Sequence, residues 1–519
     1  MYRKLMFLIS FVALLALVNV VVADNWEGDT SSDWCDGANW EDGSAPGPED
    51  DAELKVTGND PLIQGPACSA DFGKLAWDLG SSDAITLNIV DAVVRFMEND
   101  ETGEGLMTMT ISGTSNVDCW DDRIRWGNHG HGVLNMSDDA VLHVNGDLRG
   151  GDEDDGAFDL NMSDGLLVVE GEILCGDDGS GVLTFTGGEV VCERFTISAR
   201  KGGQTGDMVV SGDTEIYIGG GDDPELRLGK DCKEGGGIAS LTMTGGIVSA
   251  EYIRLSASEG SCTHVNVDMQ GGLLIAREDF IVADGAGVVT VTISGGEIQV
   301  LGNSLEIDDN GSIDLCGGTL VLAGNKAAEI AELVCVDGKI TGYGIPAGVV
   351  IDYDNLNPGK TTVYGVMGVD PKKAYCPEPA NGADKVQCVT SDVELCWTGG
   401  SGVDRIGGHR VFFGTDEQAV ADANMSDDEY ITQTRANITC YIIAGPGAGP
   451  EGFSNLPLWT DHFWRIDEVN DDFTVTPGDV WKFTTGCEAI NGDTNNDCIL
   501  NFLDYADVAS TWQKEQLWP

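Results

Sequence analysis

Positive charge is scarce in this chain: 28 Lys and Arg stand against 87 Asp and Glu in 519 residues, a formal net charge of −59. Phosphate backbones would be repelled, which argues against nucleic acid as a natural partner and suits salty, calcium-rich or extracellular surroundings. Proline is also scarce, at 15, while glycine reaches 71, about twice its ordinary share. A disordered Pro/Gly chain is thereby excluded, and many short strands joined by tight turns are expected. No CxxC pair and no Cys/His grouping has zinc spacing, so a structural zinc site is excluded. Beyond the first residues, no run approaches the roughly 18 to 20 apolar residues of a membrane span.

What is present begins at the N-terminus. Arg3 and Lys4 precede an apolar run from Leu5 to Val22, broken only by Ser10 and Asn19, and Val21-Val22-Ala23 places small residues at a cleavage position. Residues 1–23 therefore read as a secretory signal peptide, the alternative being a retained anchor helix. No Leu-rich lipobox precedes Cys35. The mature chain is expected to be secreted or at the cell surface, with no membrane span after cleavage. Fifteen cysteines in an exported chain imply disulfides, and the odd count leaves at least one thiol free or paired between chains. Cys376, Cys388, Cys396 and Cys440 cluster in one segment, and Cys487 and Cys498 are candidates for a further bridge.

Internal repetition organises the centre of the chain. Segments such as "VLNMSDDAVLHVNGDL", "SLTMTGGIVSAEYIRL" and "VTVTISGGEIQVLGNSLEI" each carry an alternating strand, a Gly/Asp turn and further alternation. The turns fall at Asp138, Asp164, Gly187, Gly212, Gly245, Gly271, Gly295 and Gly317, so successive spacings are 26, 23, 25, 33, 26, 24 and 22 residues. That period with period-2 alternation fits a parallel β-solenoid, each coil carrying two or three strands. Val289, Val291 and Ile293 would point inward while Thr290, Thr292 and Ser294 face solvent. The competing arrangement is a set of Gly-Gly hairpins in an antiparallel sheet. Extra strands at Phe195/Ile197, Ile253/Leu255, Phe280/Val282 and Leu305/Ile307 favour the coil.

The opening of the mature chain, "DNWEGDTSSDWCDGANWEDGSAPGPEDDAEL", resembles that of pectin-lyase-like and autotransporter-associated β-solenoid proteins, with Trp26, Trp34 and Trp40 placed to close the first coil. Residues 24–341 are accordingly expected to form a β-solenoid with an N-terminal cap, and 342–375 a linker or C-terminal cap. Enzymes of that architecture place carboxylates, a basic residue and often Ca²⁺ on one face. The candidate set here is in "DCWDDRIRWGNHGHG": Asp121, Asp122, Arg123, Arg125, His129 and His131, with Trp120 and Trp126 as sugar platforms. The plainer reading is an irregular solvated loop, and "GGDEDDGAFD" and "GGGDDPELRLG" read as acidic corners of the same kind.

Residues 376–486 hold "VELCW", "HRVFFGT", "FWRIDEVN" and "VWKFTT", strands whose order resembles a fibronectin type III-like sandwich, with Trp397 as a core aromatic. Where that family commonly has a corner tyrosine, this chain has His462. Near the end, "GDTNNDCILNFLDYADVASTW" spaces oxygen donors for Ca²⁺: Asp493, Asn495 and Asp497 at positions 1, 3 and 5, the Ile499 carbonyl at 7, Asn501 at 9 and Asp504 at 12. The alternative is an Asp/Asn-rich turn before a helix. Loop and exiting helix look like one half of a type I dockerin over residues 487–519, a resemblance that implies a cohesin-like partner reached through Phe502 and Leu503. Two features depart from that pattern: only one repeat is present, and position 6, glycine in an EF-hand, is Cys498.

The fold expectation is thus all-β: a parallel β-solenoid, a fibronectin type III-like β-sandwich and a small loop-helix calcium module. The functional expectation is a non-catalytic surface or extracellular-matrix protein for attachment to an extracellular polysaccharide or a cell-surface protein. Its rivals are a polysaccharide-degrading lyase or glycoside hydrolase acting on the solenoid face, and a carbohydrate-binding adhesin.

Overall fold

A computed structural model describes residues 23–487 and 498, apart from 56–57, 102, 121–122, 152, 154–155, 177, 199–202, 222–223, 230–236, 256–263, 286, 303, 390–391, 446 and 449–451. The chain is mostly β and divides into two compact units. The first runs to Ile330 and takes in Lys339–Gly344 and Val349–Val366; the second comprises Ala331–Gly338, Ile345–Gly348 and the chain from Met367. No helix among the described residues is long and apolar enough to cross a membrane.

The first unit is a parallel β-solenoid of about 11 turns. A coil that follows the alternation has three sides, exemplified by His131–Met136, Val141–Val144 and Asp147–Gly150. Each strand pairs in parallel with its equivalent one coil earlier and one coil later, as His131–Met136 does with Leu106–Ser112 and Ala157–Met162. Register is held because a slip of one residue would turn every apolar side chain outward. One result is an unbroken inward column on the first side: Leu87, Met109, Leu134, Leu160, Leu183, Met208, Leu241, Val267, Val291, Ile313 and Ile340. All are at most 1% exposed. Burying each such side chain is worth about 1.5–3 kcal/mol before chain entropy is charged against it.

The hairpin alternative fails at Gly295-Gly296. Val288–Val300 continues through that corner as one bent strand, with Ile293 beside Met269 and Leu315, and Ile298 beside Leu274 and Leu320. Gly296 turns the corner at φ 70°, and a Cβ there would lie 2.5 Å from the Gly272 carbonyl oxygen. Two earlier coils use aspartate at this left-handed position, Asp91 at φ 52° and Asp138 at φ 60°. Their carboxylates repay the strain by accepting from Thr114 N (2.9 Å) and Gly113 N (3.0 Å) of the neighbouring coil.

The two ends of the stack differ from its middle. At the start, Trp26, Trp34 and Trp40 are buried on one another, Trp34 and Trp40 edge-to-face at 4.6 Å, and the aromatic packing continues to Phe72. Cys35 and Cys68 bridge this region. At the far end Thr319–Ala323 pairs antiparallel with Lys360–Gly365, which pairs antiparallel with Val349–Tyr353, so a hairpin follows the last parallel strands.

The second unit has a three-stranded antiparallel sheet (Tyr375–Glu378, Val393–Thr398, Cys440–Ala444) and a six-stranded sheet built on Asp461–Val469 and His409–Gly414. Leu395, Trp397 and Ile443 from the first meet Val411, Phe413, Trp464, Ile466, Trp481 and Phe483 from the second in one core. His462 packs as an aromatic ring, 5.3 Å from Phe413 and 5.4 Å from Phe483 between centroids. Cys335–Cys376 and Cys396–Cys440 are disulfides, whereas Cys388 is a buried thiol.

Candidate functional site

The residues of "DDRIRWGNHGHG" do not form one loop. Asp121 and Asp122 lie outside the described residues. Arg123–Trp126 is a strand of the third side of the solenoid, with Ile124 and Trp126 inward and Arg123 and Arg125 outward. His129 is exposed beyond it, and His131 opens a strand of the first side, where its Nε2 lies 2.9 Å from Asp159 Oδ2. Trp126 is buried against Trp77, so of the two proposed sugar platforms only Trp120, 53% exposed, faces solvent. The expectation of an irregular loop is corrected: third-side strands hold three or four residues, too few for alternation to be recognised in sequence.

The outward positions of that third side form two adjoining columns. One stacks Arg123 on Asp147, then Glu172, Arg194, Glu225 and Tyr252 in successive coils. The other stacks Arg125 on Arg149, then Leu174, Thr196, Arg227 and Arg254. Arginines directly above one another repel. The carboxylates of the first column neutralise them: Asp147 accepts from Arg149 Nη2 at 3.0 Å and lies 3.9 Å from Arg123 Nε. Glu172 accepts from the buried Thr196 hydroxyl at 2.5 Å and sits 3.9 Å from Arg149.

Glu225 is the centre of this ladder. Its side chain is completely buried, in a strand that the sequence assigns to an acidic corner, an expectation here corrected. Arg227 pairs with it from the same strand, Arg254 Nε lies 3.3 Å away and Arg194 Nε 3.9 Å away. Three guanidiniums thus enclose one carboxylate, and Arg254 also reaches Asp284 at 3.9 Å. The signal that would have found them is an arginine at the third place of several short strands, "RIRW", "DLRG", "ELRL" and "YIRL", with one at the second place of "ERFT".

A second, smaller charged column occupies the second side. Arg95, Asp118 and His143 stack in register, and His143 bonds Asp118 through Nδ1 (3.0 Å) and Glu170 through Nε2 (3.2 Å). Partial burial works against the imidazolium, but the two carboxylates outweigh it and hold the His143 pKa above its ordinary value. Cys175 and Cys192 point into the core, where burial raises their thiol pKa strongly and makes them unreactive.

At the C-terminus, Asp493, Asn495, Asp497, Ile499, Asn501, Phe502, Leu503 and Asp504 lie outside the described residues. Cys498 is described: it is buried, bonded to Cys487, and has φ 64°. Comparison with family models, with curated proteins and with solved structures returns no match for this chain.

Proposed function

We propose that this is an exported, non-catalytic surface or matrix protein that attaches to an extracellular polysaccharide or a cell-surface protein. In this reading the solenoid is a stalk, the second unit a fibronectin type III-like spacer, and the C-terminal segment a calcium-organised, dockerin-like module open to a cohesin-like partner. The observation that carries the non-catalytic part is the ladder. Arg123, Arg149, Asp147 and Glu172 are engaged with one another along the stack, while His131 belongs to another side of the coil, so among the described residues the mixed chemistry of that segment does not converge. Acid–base work on a sugar needs groups held together at one reacting bond.

The calcium reading draws support from Cys498. Position 6 of such a loop turns through the left-handed region, which is why glycine is usual there, and Cys498 adopts that conformation at φ 64° while its disulfide to Cys487 ties it in place. When bound, Ca²⁺ would supply charge neutralisation and order to a segment rich in carboxylates.

The test incubates purified mature protein with pectin, alginate and xylan and assays both retention of polymer and release of unsaturated or reducing ends. Retention without release is expected. Release abolished by Arg123→Ala or Asp122→Asn would establish the enzyme reading instead. Calorimetry of the full chain should give Ca²⁺ binding that Asp497→Ala weakens; equal heats in the two proteins would remove the calcium module.

A further inference from the structure

Among the described residues the guanidiniums of Arg95, Arg277, Arg405, Arg410 and Arg435 have no carboxylate partner. Two of them, Arg405 and Arg435, line an open cavity of about 530 Å³ in the second unit together with Ile406, Ala436 and Asn437. Neither has a carboxylate partner among the described residues, and both are exposed. The nearest acid in sequence, Asp404, is turned onto its own loop and accepts from Ile406 N at 2.9 Å and from Gly407 N.

The cavity walls are held in place. One loop follows Val393–Thr398 and the other follows Tyr430–Thr434. Beneath them lies a completely buried pair, His409 Nδ1 with Glu468 Oε2 at 2.5 Å. Glu468 Oε1 accepts from Gly400 N of the first loop at 3.0 Å, and His409 Nε2 lies 3.3 Å from the Ala436 carbonyl of the second. Gln433 Nε2 donates to Gly407 O at 2.6 Å and joins the loops directly. The cost of ordering the two loops is therefore already met by the fold, while the arginine side chains order on binding.

We propose that this cavity binds one anionic sugar residue of an acidic saccharide, Arg405 and Arg435 gripping its carboxylate or sulfate at short range while salt screens the longer-range repulsion from the chain's net negative charge. Guanidinium forks match planar and tetrahedral oxyanions. Asn437 adds a carboxamide for hydroxyl groups, and Ile406, 80% exposed, gives an apolar wall for a ring face. The turn backbones are occupied internally, Gly408 N on Asp404 O and Ile438 N on Arg435 O, so a peptide would find few free donors in the turns themselves, and the polyglutamate probe below tests that alternative. The inference rests on the attachment reading and assigns that reading a contact point.

The test is calorimetry on the full mature chain with a chelator present, so that Ca²⁺ cannot bridge protein and ligand. Probes are a trigalacturonate, a sulfated disaccharide, a neutral cello-oligosaccharide and a short polyglutamate peptide. One anionic sugar is expected to bind, and which one separates carboxylate from sulfate recognition. Arg405→Gln and Arg435→Gln should each weaken it at least about tenfold, as loss of a charged hydrogen-bonding partner implies, with unchanged thermal unfolding because both side chains are exposed. Unchanged affinity in the double variant, binding of the neutral sugar alone, or binding of polyglutamate in place of either anionic sugar would overturn the proposal. If the double variant binds the anionic probe unchanged while whole polymer is retained, the attachment reading stands and only this cavity is refuted; if polymer is cleaved, the attachment reading fails whatever the probes show.

Discussion

Replacing Glu225 by Gln should loosen the middle of the solenoid while leaving its ends intact. The carboxylate is completely buried and answers three guanidiniums, those of Arg227, Arg254 at 3.3 Å and Arg194 at 3.9 Å. Removing one partner of a buried ion group costs about 3–5 kcal/mol, because the remaining charges stay where solvation is poor. Here the arginine side chains keep 20–35% exposure and can partly rehydrate, which favours the lower end of that range. About 3 kcal/mol corresponds to roughly a hundredfold change in a local opening equilibrium. Coils contact only their neighbours, so the effect should stay local. Hydrogen exchange is the assay: amides of Glu189–Ile197, Glu225–Leu228 and Tyr252–Leu255 should exchange roughly a hundredfold faster, and those of Leu106–Ser112 at the unaltered rate. Arg254→Gln should change the same amides by about tenfold or less, since Glu225 keeps two partners. A change below about threefold in Glu225→Gln, or an equal rise in every coil, would refute the idea that this carboxylate organises its neighbours.

Other outcomes follow from single contacts. Gly150→Ala would place a methyl group 2.0 Å from Cδ1 of the fully buried Phe158 ring, so it should destabilise the solenoid by about 2 kcal/mol or more, read as a lower urea midpoint. His143 and His462 should contribute to the stability of their units in opposite pH senses. His143 has a folded pKa raised above 6.5, so its stabilisation is complete below 6.5 and lost as pH rises through the folded value; His143→Gln should lower solenoid stability most in acid. Burial of His462 holds its pKa below 6.5, so the second unit is most stable above 6.5 and weakens as pH falls toward the folded value; His462→Phe should flatten that loss in thermal unfolding between about pH 7 and 5.

The solenoid was legible because its inward residues obey a rule with many independent repetitions. Leu241, Met243, Val265, Val267, Val291 and Ile293 occupy the interior as alternation implies, and the extra strands at Phe195, Ile253, Phe280 and Leu305 lie on the third side. The exact corner residue was less legible: Gly188, Gly246, Gly272 and Gly296 take the left-handed position, one place after the glycine chosen as the marker. In a Gly-Gly pair composition does not say which member turns. The ladder was not legible, since Glu225 and Arg227 in "DDPELRLG" look like any solvated acidic corner until coil stacking brings Arg194 and Arg254 beside them. The cavity in the second unit was equally hidden: Arg405 and Arg435 are separated by 30 residues and meet only because His409–Gly414 and Tyr430–Thr434 pair antiparallel.

Arginine placement separates structural from recognition chemistry in this protein. With 87 acidic residues against 28 basic ones, a carboxylate is rarely far from a guanidinium in this chain. Arg123, Arg149, Arg194, Arg227 and Arg254 of the solenoid's third side pair with carboxylates, and this converts the repulsion of Arg227 beside Arg254 into cohesion between coils. Arg465 of the second unit behaves likewise: buried, it bonds Asp467 and the carbonyls of Val420 and Ala423 at the end of the helix Glu417–Asp422. Arg405 and Arg435, like Arg95, Arg277 and Arg410, have no carboxylate partner among the described residues, but these two stand exposed at one cavity, on loops that buried His409 and Glu468 tie down. A pair of exposed cations left without acids, in surroundings that are overwhelmingly acidic, gains nothing for the fold. A ligand that brings its own negative charge is the physical circumstance in which that arrangement is favourable.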